Sequence, residues 1–243
     1  LVDPVPLKAM GRFNHEAAAV DPATGIVYLT EDRNDSLLYR FLPNVRGQLA
    51  AGGKLQALVV DGVADSRNWE GVTFAPQSWQ SVRWVDLDNV EAPEDDLRTR
   101  GAAAGATLFA RGEGIWMGEG ELYFCCTSGG SAKLGQIFRL RPQGSGLDVL
   151  QLFFESTSIE QFNFGDNLTV GPNGHLVVCE DQYTPEVHNH LRGITPDGVA
   201  YPIALSHENT EWAGACFSPD GRALFVNLYS PARTVAITGP WIA

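Results

Sequence analysis

Positive charge is what this 243-residue chain is shortest of: 17 lysines and arginines stand against 29 aspartates and glutamates, for a formal charge of −12 and a pI near 4.7. Such a surface repels phosphate backbones, so nucleic acid is not an expected partner. Long apolar runs are missing too. None approaches the ~20 residues of a membrane-spanning helix, and none resembles a signal-peptide core, so membrane insertion is not expected. Cysteine is scarce: Cys125, Cys126, Cys179 and Cys216 sit in apolar strand-like runs without a C-x-x-C pair. They are expected to be small buried residues rather than zinc ligands. A Gly-rich phosphate loop and a G-x-S-x-G elbow are both lacking, so P-loop nucleotide hydrolysis and serine-esterase chemistry have no support.

What the chain does have is a repeated phrase: an acid, a short apolar run, a Pro/Asp/Gly turn, and a second apolar run ending in acids. It is clearest from His15-Glu16 through Asp21-Pro22-Ala23-Thr24-Gly25 to Glu31-Asp32. It returns from Asp166-Asn167 through Gly171-Pro172-Asn173-Gly174 to Glu180-Asp181. With 44% hydrophobic residues there is enough apolar material for a core, and the short period-two runs bounded by turn residues predict an all-β chain.

Four strands are expected at Glu16 to Val20, Ile26 to Thr30, Leu37 to Phe41 and Leu55 to Val60, the content of one β-propeller blade. A second blade is expected at Gly114 to Met117, Glu121 to Thr127, Gln136 to Leu140 and Leu147 to Phe153. A third covers Leu168 to Val170, His175 to Glu180, Leu191 to Thr195 and Val199 to Ala204. The last unit, with Gly214 to Phe217, Ala223 to Leu228 and Thr234 to Ile237, is one strand short. Residues 61–110 read as an insertion between the first two blades, a lid or packing segment with a mobile middle over 91–106 and packed tryptophans at Trp69, Trp79 and Trp84. The expectation is therefore a single partial β-propeller domain over 1–243, about four blades, completed by upstream blades of the same protein. Its uncovered edge would invite association.

Innermost strands of a propeller line the channel, so acids at blade starts converge there. Glu16, Glu113 and Asp166 hold that position, and Glu211 stands near the start of the last unit. Crowded carboxylates need protons or cations, and hard oxygen donors suit calcium, with ferric iron possible. The alternative is that these acids cap strands or face solvent. Arg111, beside Glu113, and Arg33, beside Glu31-Asp32, have the fork that suits phosphate oxygens, although an arginine among carboxylates is more often a structural ion pair. His188 and His190 read as surface residues. His15 adjoins Glu16.

Gly11-Arg12-Phe13-Asn14-His15-Glu16-Ala17 with Val27-Tyr28-Leu29-Thr30-Glu31-Asp32 resembles the PhoX family of alkaline phosphatases and PhoX-like proteins. So do Arg111-Gly112-Glu113-Gly114, Asp166-Asn167-Leu168-Thr169-Val170 with Cys179-Glu180-Asp181, and Phe217-Ser218-Pro219-Asp220-Gly221 through Asn227 to Trp241. The resemblance implies a six-bladed propeller, a phosphomonoester hydrolase with calcium (Ca2+) and ferric iron (Fe3+), and a small phosphorylated substrate. It also implies twin-arginine export to the periplasm or cell exterior. It carries Glu16, Glu113 and Asp166 over as metal ligands, Glu31, Asp32 and Glu180 as further ligand candidates, and Arg111 and Glu113 as catalytic residues. Arg111, Arg33 and Asn167 become substrate-binding candidates. A family cysteine ligand has no equivalent here. A calcium-dependent lactonase and a non-catalytic calcium-binding propeller remain the alternatives.

Overall fold

A computed structural model of the chain describes residues 3–143, 147–182, 184 and 188–241. Strands β1 (His15–Val20), β2 (Val27–Glu31), β3 (Tyr39–Pro43) and β4 (Gly53–Val60) form a first antiparallel meander. β6 (Gly112–Met117), β7 (Leu122–Cys126), β8 (Gln136–Arg141) and β9 (Asp148–Glu155) form a second. β10 (Gly165–Val170), β11 (Leu176–Glu180), β12 (His190–Ile194) and β13 (Ala200–Leu205) form a third. The last sheet, β14 (Trp212–Phe217), β15 (Ala223–Leu228) and β16 (Arg233–Thr238), has three strands among the described residues. This is the all-β propeller plan that the repeat predicts.

The turns follow from their residues. Asp21 accepts from the Ala23 backbone N–H at 2.8 Å and the Thr24 hydroxyl at 2.6 Å, and Gly25 supplies the positive φ of 79° that returns the chain into β2. In the last sheet the Ser218 hydroxyl donates to Asp220 at 2.6 Å and accepts from the Ala223 N–H at 3.0 Å.

Blades pack face to face because the second strand of each of the first three is buried on both sides. Every residue of β2, β7 and β11 is buried. In β11 the side chains alternate: Leu176 and Val178 join the core shared with the second blade, and Val177 and Cys179 the core shared with the fourth. Tyr28 and Leu38 of the first blade meet Phe124 and Phe138 of the second in the same way. Cys125, Cys126 and Cys179 are buried as expected, whereas Cys216 is exposed, because it lies on the outer face of the last blade where no further sheet packs in this structure.

The insertion departs from expectation. β5 (Trp79–Asp86) pairs antiparallel with both β4 and β9, joining the first two blades into one nine-stranded sheet. The stretch expected to be mobile contains α1 (Leu97–Ala103), whose Leu97 and Gly101 are buried against the first blade. A Cβ at Gly101 would stand 2.5 Å from Leu37 Cδ1, so the small residue is what lets the helix lie this close. Each tryptophan lies beside an arginine, Trp84 by Arg40 at 4.3 Å, Trp79 by Arg141 at 4.4 Å and Trp69 by Arg67 at 4.4 Å; Trp69 and Trp84 are partly buried as expected, whereas Trp79 is exposed. Among the described residues no helix is long and apolar enough to cross a membrane.

Candidate metal and phosphate site

Three inner strands break register at the same place. The ladder shifts between His15 and Ala18 in β1, between Gly112 and Ile115 in β6, and between Gly165 and Leu168 in β10. Glu16, Glu113 and Asp166 are the first residues of these bulges, and a bulge re-aims a side chain out of the strand's alternation. Arg111 and Phe164, each two residues before an acid, hold φ values of 53° and 52°. That left-handed kink costs roughly 1 kcal/mol or more per residue and turns the chain into the bulge. Gly114 lets β10 approach: a Cβ there would lie 2.5 Å from the Asp166 carbonyl oxygen and 2.7 Å from Asn167 Cα. The fourth inner strand also shifts, between Ala213 and Cys216, but its bulge holds Gly214 and Ala215.

The bulges bring one carboxylate oxygen each of Glu16, Glu113 and Asp166 within 4.8 Å of one another. A second group meets the same limit: Asp166, Asp181 and Glu211, so Asp166 belongs to both. Mutual repulsion and burial show in their acidities. Glu113 is pushed up to about 9, first by burial, then by Asp166, Asp32 and Glu16. Asp166 is pushed up to about 7, first by burial, then by Glu16 and Glu211. Glu16 is more open to solvent, yet partial burial and then Asp32 raise it too. Three carboxylates this close repel one another unless protons or cations intervene. An all-oxygen set that must either hold protons or be neutralised fits a hard cation such as calcium or ferric iron.

Arg111 binds across this acidic edge. Its Nε donates to Asp32 Oδ1 at 2.7 Å, and its Nη2 donates to Asp32 Oδ2 at 3.1 Å and to Glu113 Oε1 at 2.8 Å. Among the described residues Nη1 has no protein acceptor, and the side chain remains partly open to solvent. Asn167 bridges: Nδ2 donates to Asp166 Oδ1 at 3.1 Å and Oδ1 accepts from the Gly214 N–H at 2.7 Å.

The structure therefore brings Glu16, Glu113, Asp166, Asp32, Arg111 and Asn167 together. It places three other candidates elsewhere. Glu31 is fully buried under the first blade's outer face, accepting from the Tyr39 hydroxyl at 2.8 Å, and burial lifts it to about 7. Glu180 is buried against Arg192, whose Nε donates to it at 2.7 Å, with His190 Nδ1 at 3.2 Å. Both residues stand outside the two carboxylate groups. Arg33 sits at the rim, 3.7 Å from Asp95. Glu211, near the start of the last unit, meets the other blade-start acids, and Asp181 joins them without being among the expected ligands. The available signal was the Glu-Asp doublet, since consecutive strand residues face opposite ways and only one of each doublet can face the channel.

The model of the family described as alkaline phosphatase PhoX matches residues 1–232. No curated protein matches the chain. Among solved structures, a calcium-binding protein, regucalcin, from Agrobacterium tumefaciens is similar at a TM-score of 0.53 and 14% identity, covering 96% of this chain and 56% of its own. A gluconolactonase from Xanthomonas campestris gives a TM-score of 0.42 at 14% identity, covering 93% of this chain and 72% of its own. That second likeness is too distant to bear on the fold. The chain spans little more than half the length of the regucalcin structure, and at that identity the likeness shows a shared propeller fold alone.

Proposed function

The chain belongs to the alkaline phosphatase PhoX family, and from that premise we propose that it carries the carboxylate-and-arginine face of a metal-dependent phosphomonoester hydrolase. The observation that carries this reading is the Arg111–Glu113 pair: a guanidinium held by two carboxylates, with Nη1 unused among the described residues, at the edge of two convergent carboxylate groups. Calcium and ferric iron, held by Glu16, Glu113, Asp166, Asp181 and Glu211, would supply positive charge to phosphoryl oxygens and acidity to an oxygen nucleophile.

The chain's own residues do the rest. Asp32 fixes the plane of the Arg111 guanidinium through two bonds, leaving Nη1 to donate to a phosphate oxygen. Asn167 fixes Asp166, the residue common to both carboxylate groups. Arg33, with a single long ion pair at the rim, attracts an anionic substrate toward an otherwise acidic protein. Glu113 accepts from Arg111 at Oε1, and because burial and its acidic neighbours favour its protonated form, it releases a proton as cations bind. In the intact protein we place this chain within a longer exported propeller, periplasmic or extracellular, whose remaining blades complete the ring.

The test compares the full-length protein, loaded with calcium and iron, with its Glu113→Gln and Arg111→Lys variants on an aryl phosphomonoester and a lactone. Loss of phosphomonoester turnover in both variants supports the reading. Preferential turnover of the lactone assigns the site to a lactonase, and calcium binding without turnover of either assigns it to a non-catalytic calcium-binding propeller.

A further inference from the structure

We infer that the insertion between the first two blades is the positioning frame of the Arg111 guanidinium, with Arg98 and Arg67 as its working side chains. The catalytic consequence rests on the proposed phosphate role of Arg111, whereas the geometric claim stands apart from it.

Arg111 is oriented by Asp32, and Asp32 begins the loop 32–36 that leaves β2. Asn14 holds Asp32 from one side, its carbonyl accepting from the Asp32 N–H at 3.0 Å and its Nδ2 donating to the Asp32 carbonyl at 2.8 Å. Residues 34, 35 and 36 are then tied, one after another, to the insertion. The Asn34 carbonyl accepts from Arg67 Nη1 at 3.0 Å, and Asp35 Oδ1 accepts from Arg98 Nε at 3.0 Å. Ser36 and Phe109 exchange backbone bonds at 3.1 and 2.8 Å. The Arg33 carbonyl accepts from the Arg111 N–H itself at 2.9 Å.

Both arginines are themselves pre-set by neighbours within the insertion. Asp65 grips Arg67 through Nε at 2.9 Å and Nη2 at 2.6 Å. Arg98 Nη1 donates to the Asp95 carbonyl at 2.9 Å and lies 3.3 Å from the Asp95 carboxylate. The same Nη1 is 4.0 Å from Glu31 Oε1, a wholly buried oxygen with no hydrogen-bond partner among the described residues. Arg98 therefore flanks Asp32, bonded to Asp35 within the loop and lying 4.0 Å from Glu31 at the end of β2. Partly buried charge-assisted bonds of this kind resist displacement, and misplacing a substrate-orienting group by about 1 Å can cost on the order of 100-fold in rate. Arg100, on the same helix, is a built-in contrast: its partners are Asp88 and Asp96, away from the loop.

The test follows the Arg111 Nε–Hε resonance by 15N NMR, assigned with Arg111→Lys, in Arg98→Gln, Arg98→Lys and Arg100→Gln. Arg98→Gln is expected to shift or broaden it, Arg98→Lys to restore it in part, and Arg100→Gln to leave it in place. On a phosphomonoester, kcat/KM falls about 10-fold in Arg98→Gln and recovers in Arg98→Lys, while calcium affinity stays within about twofold. Asp35→Asn removes the loop partner without touching the helix and is the second variant should Arg98→Gln fold poorly. An unmoved Arg111 resonance in Arg98→Gln or Asp35→Asn, or an equal shift in Arg100→Gln, overturns the inference. Absence of turnover in the wild type defeats the functional reading alone, since the resonance comparison still decides the positioning claim.

Discussion

The first and last blades present the same kind of surface to very different surroundings. On the first, Tyr39, Phe41, Leu55 and Ala57 point away from the second blade and are nonetheless buried, because Phe13, Ala92 and Leu97 from the chain's own flanking segments cover them. On the last, Phe225 is 39% and Tyr229 64% exposed, and Cys216 is open beside them. The carboxylate site straddles this contrast. Glu16, Glu113, Asp32 and Arg111 stand on two blades fused into one sheet, while Glu211 depends on a sheet packed on one face only. One side of the site is held by its scaffold. The other is held by the fourth blade's single interface.

The largest expected effect breaks the held side from within. Glu113 and Asp166 have folded-state values, about 9 and about 7, above their ordinary ones, so folding favours their protonated forms. Their stabilising contribution is complete below about pH 4 and is lost as pH rises through 7 and then 9. The calcium-free protein should therefore lose on the order of 5 kcal/mol between pH 5 and 9, read as a falling thermal midpoint. Glu113→Gln should flatten the profile and raise the midpoint at pH 8, and added calcium should raise the wild-type midpoint most at high pH. A wild-type midpoint that stays level across this range in chelator would refute the assignment of those two acids as the crowded pair.

Two substitutions at adjacent residues sharpen the comparison at the third blade. Glu180→Gln leaves Arg192 buried without its carboxylate and should cost about 3 to 5 kcal/mol in denaturant titration. Asp181→Asn should leave stability nearly unchanged and weaken calcium about tenfold by calorimetry. A reversal of these two outcomes would return Glu180 to the ligand set.

That doublet also marks how far the sequence could be read. The blade plan was legible because each second strand is a short apolar run opened by a turn such as Asp21-Pro22-Ala23-Thr24-Gly25, and both signals are local. Glu16, Glu113 and Asp166 were legible as a set because each opens an inner strand. Which member of Glu31-Asp32 or Glu180-Asp181 faces the channel depends on strand phase, and a bulge resets that phase without a sequence mark of its own. β5 was hidden for a different reason. Its burial alternates weakly along Trp79–Asp86, and its identity as a strand comes from two partners, β4 and β9, far from each other in sequence. Helix α1, at seven residues, is too short to announce itself by periodicity and is set by docking on Leu37.

The smallest effect is expected at the bare blade, set against a large one at the covered blade. Phe41→Ala, beneath the covered face of the first blade, should cost about 3 to 5 kcal/mol. Phe225→Ser, on the open face of the last, should cost less than about 1 kcal/mol in this chain by denaturant titration. The same Phe225→Ser change in a longer form of the protein gives the comparison its direction. If a further blade covers that face, Phe225 becomes a core residue and the cost should rise to about 2 to 3 kcal/mol, the value of burying a phenylalanine side chain. An equal, small cost in both forms would mean that the face stays open and that the contrast between first and last blade belongs to the folded protein itself.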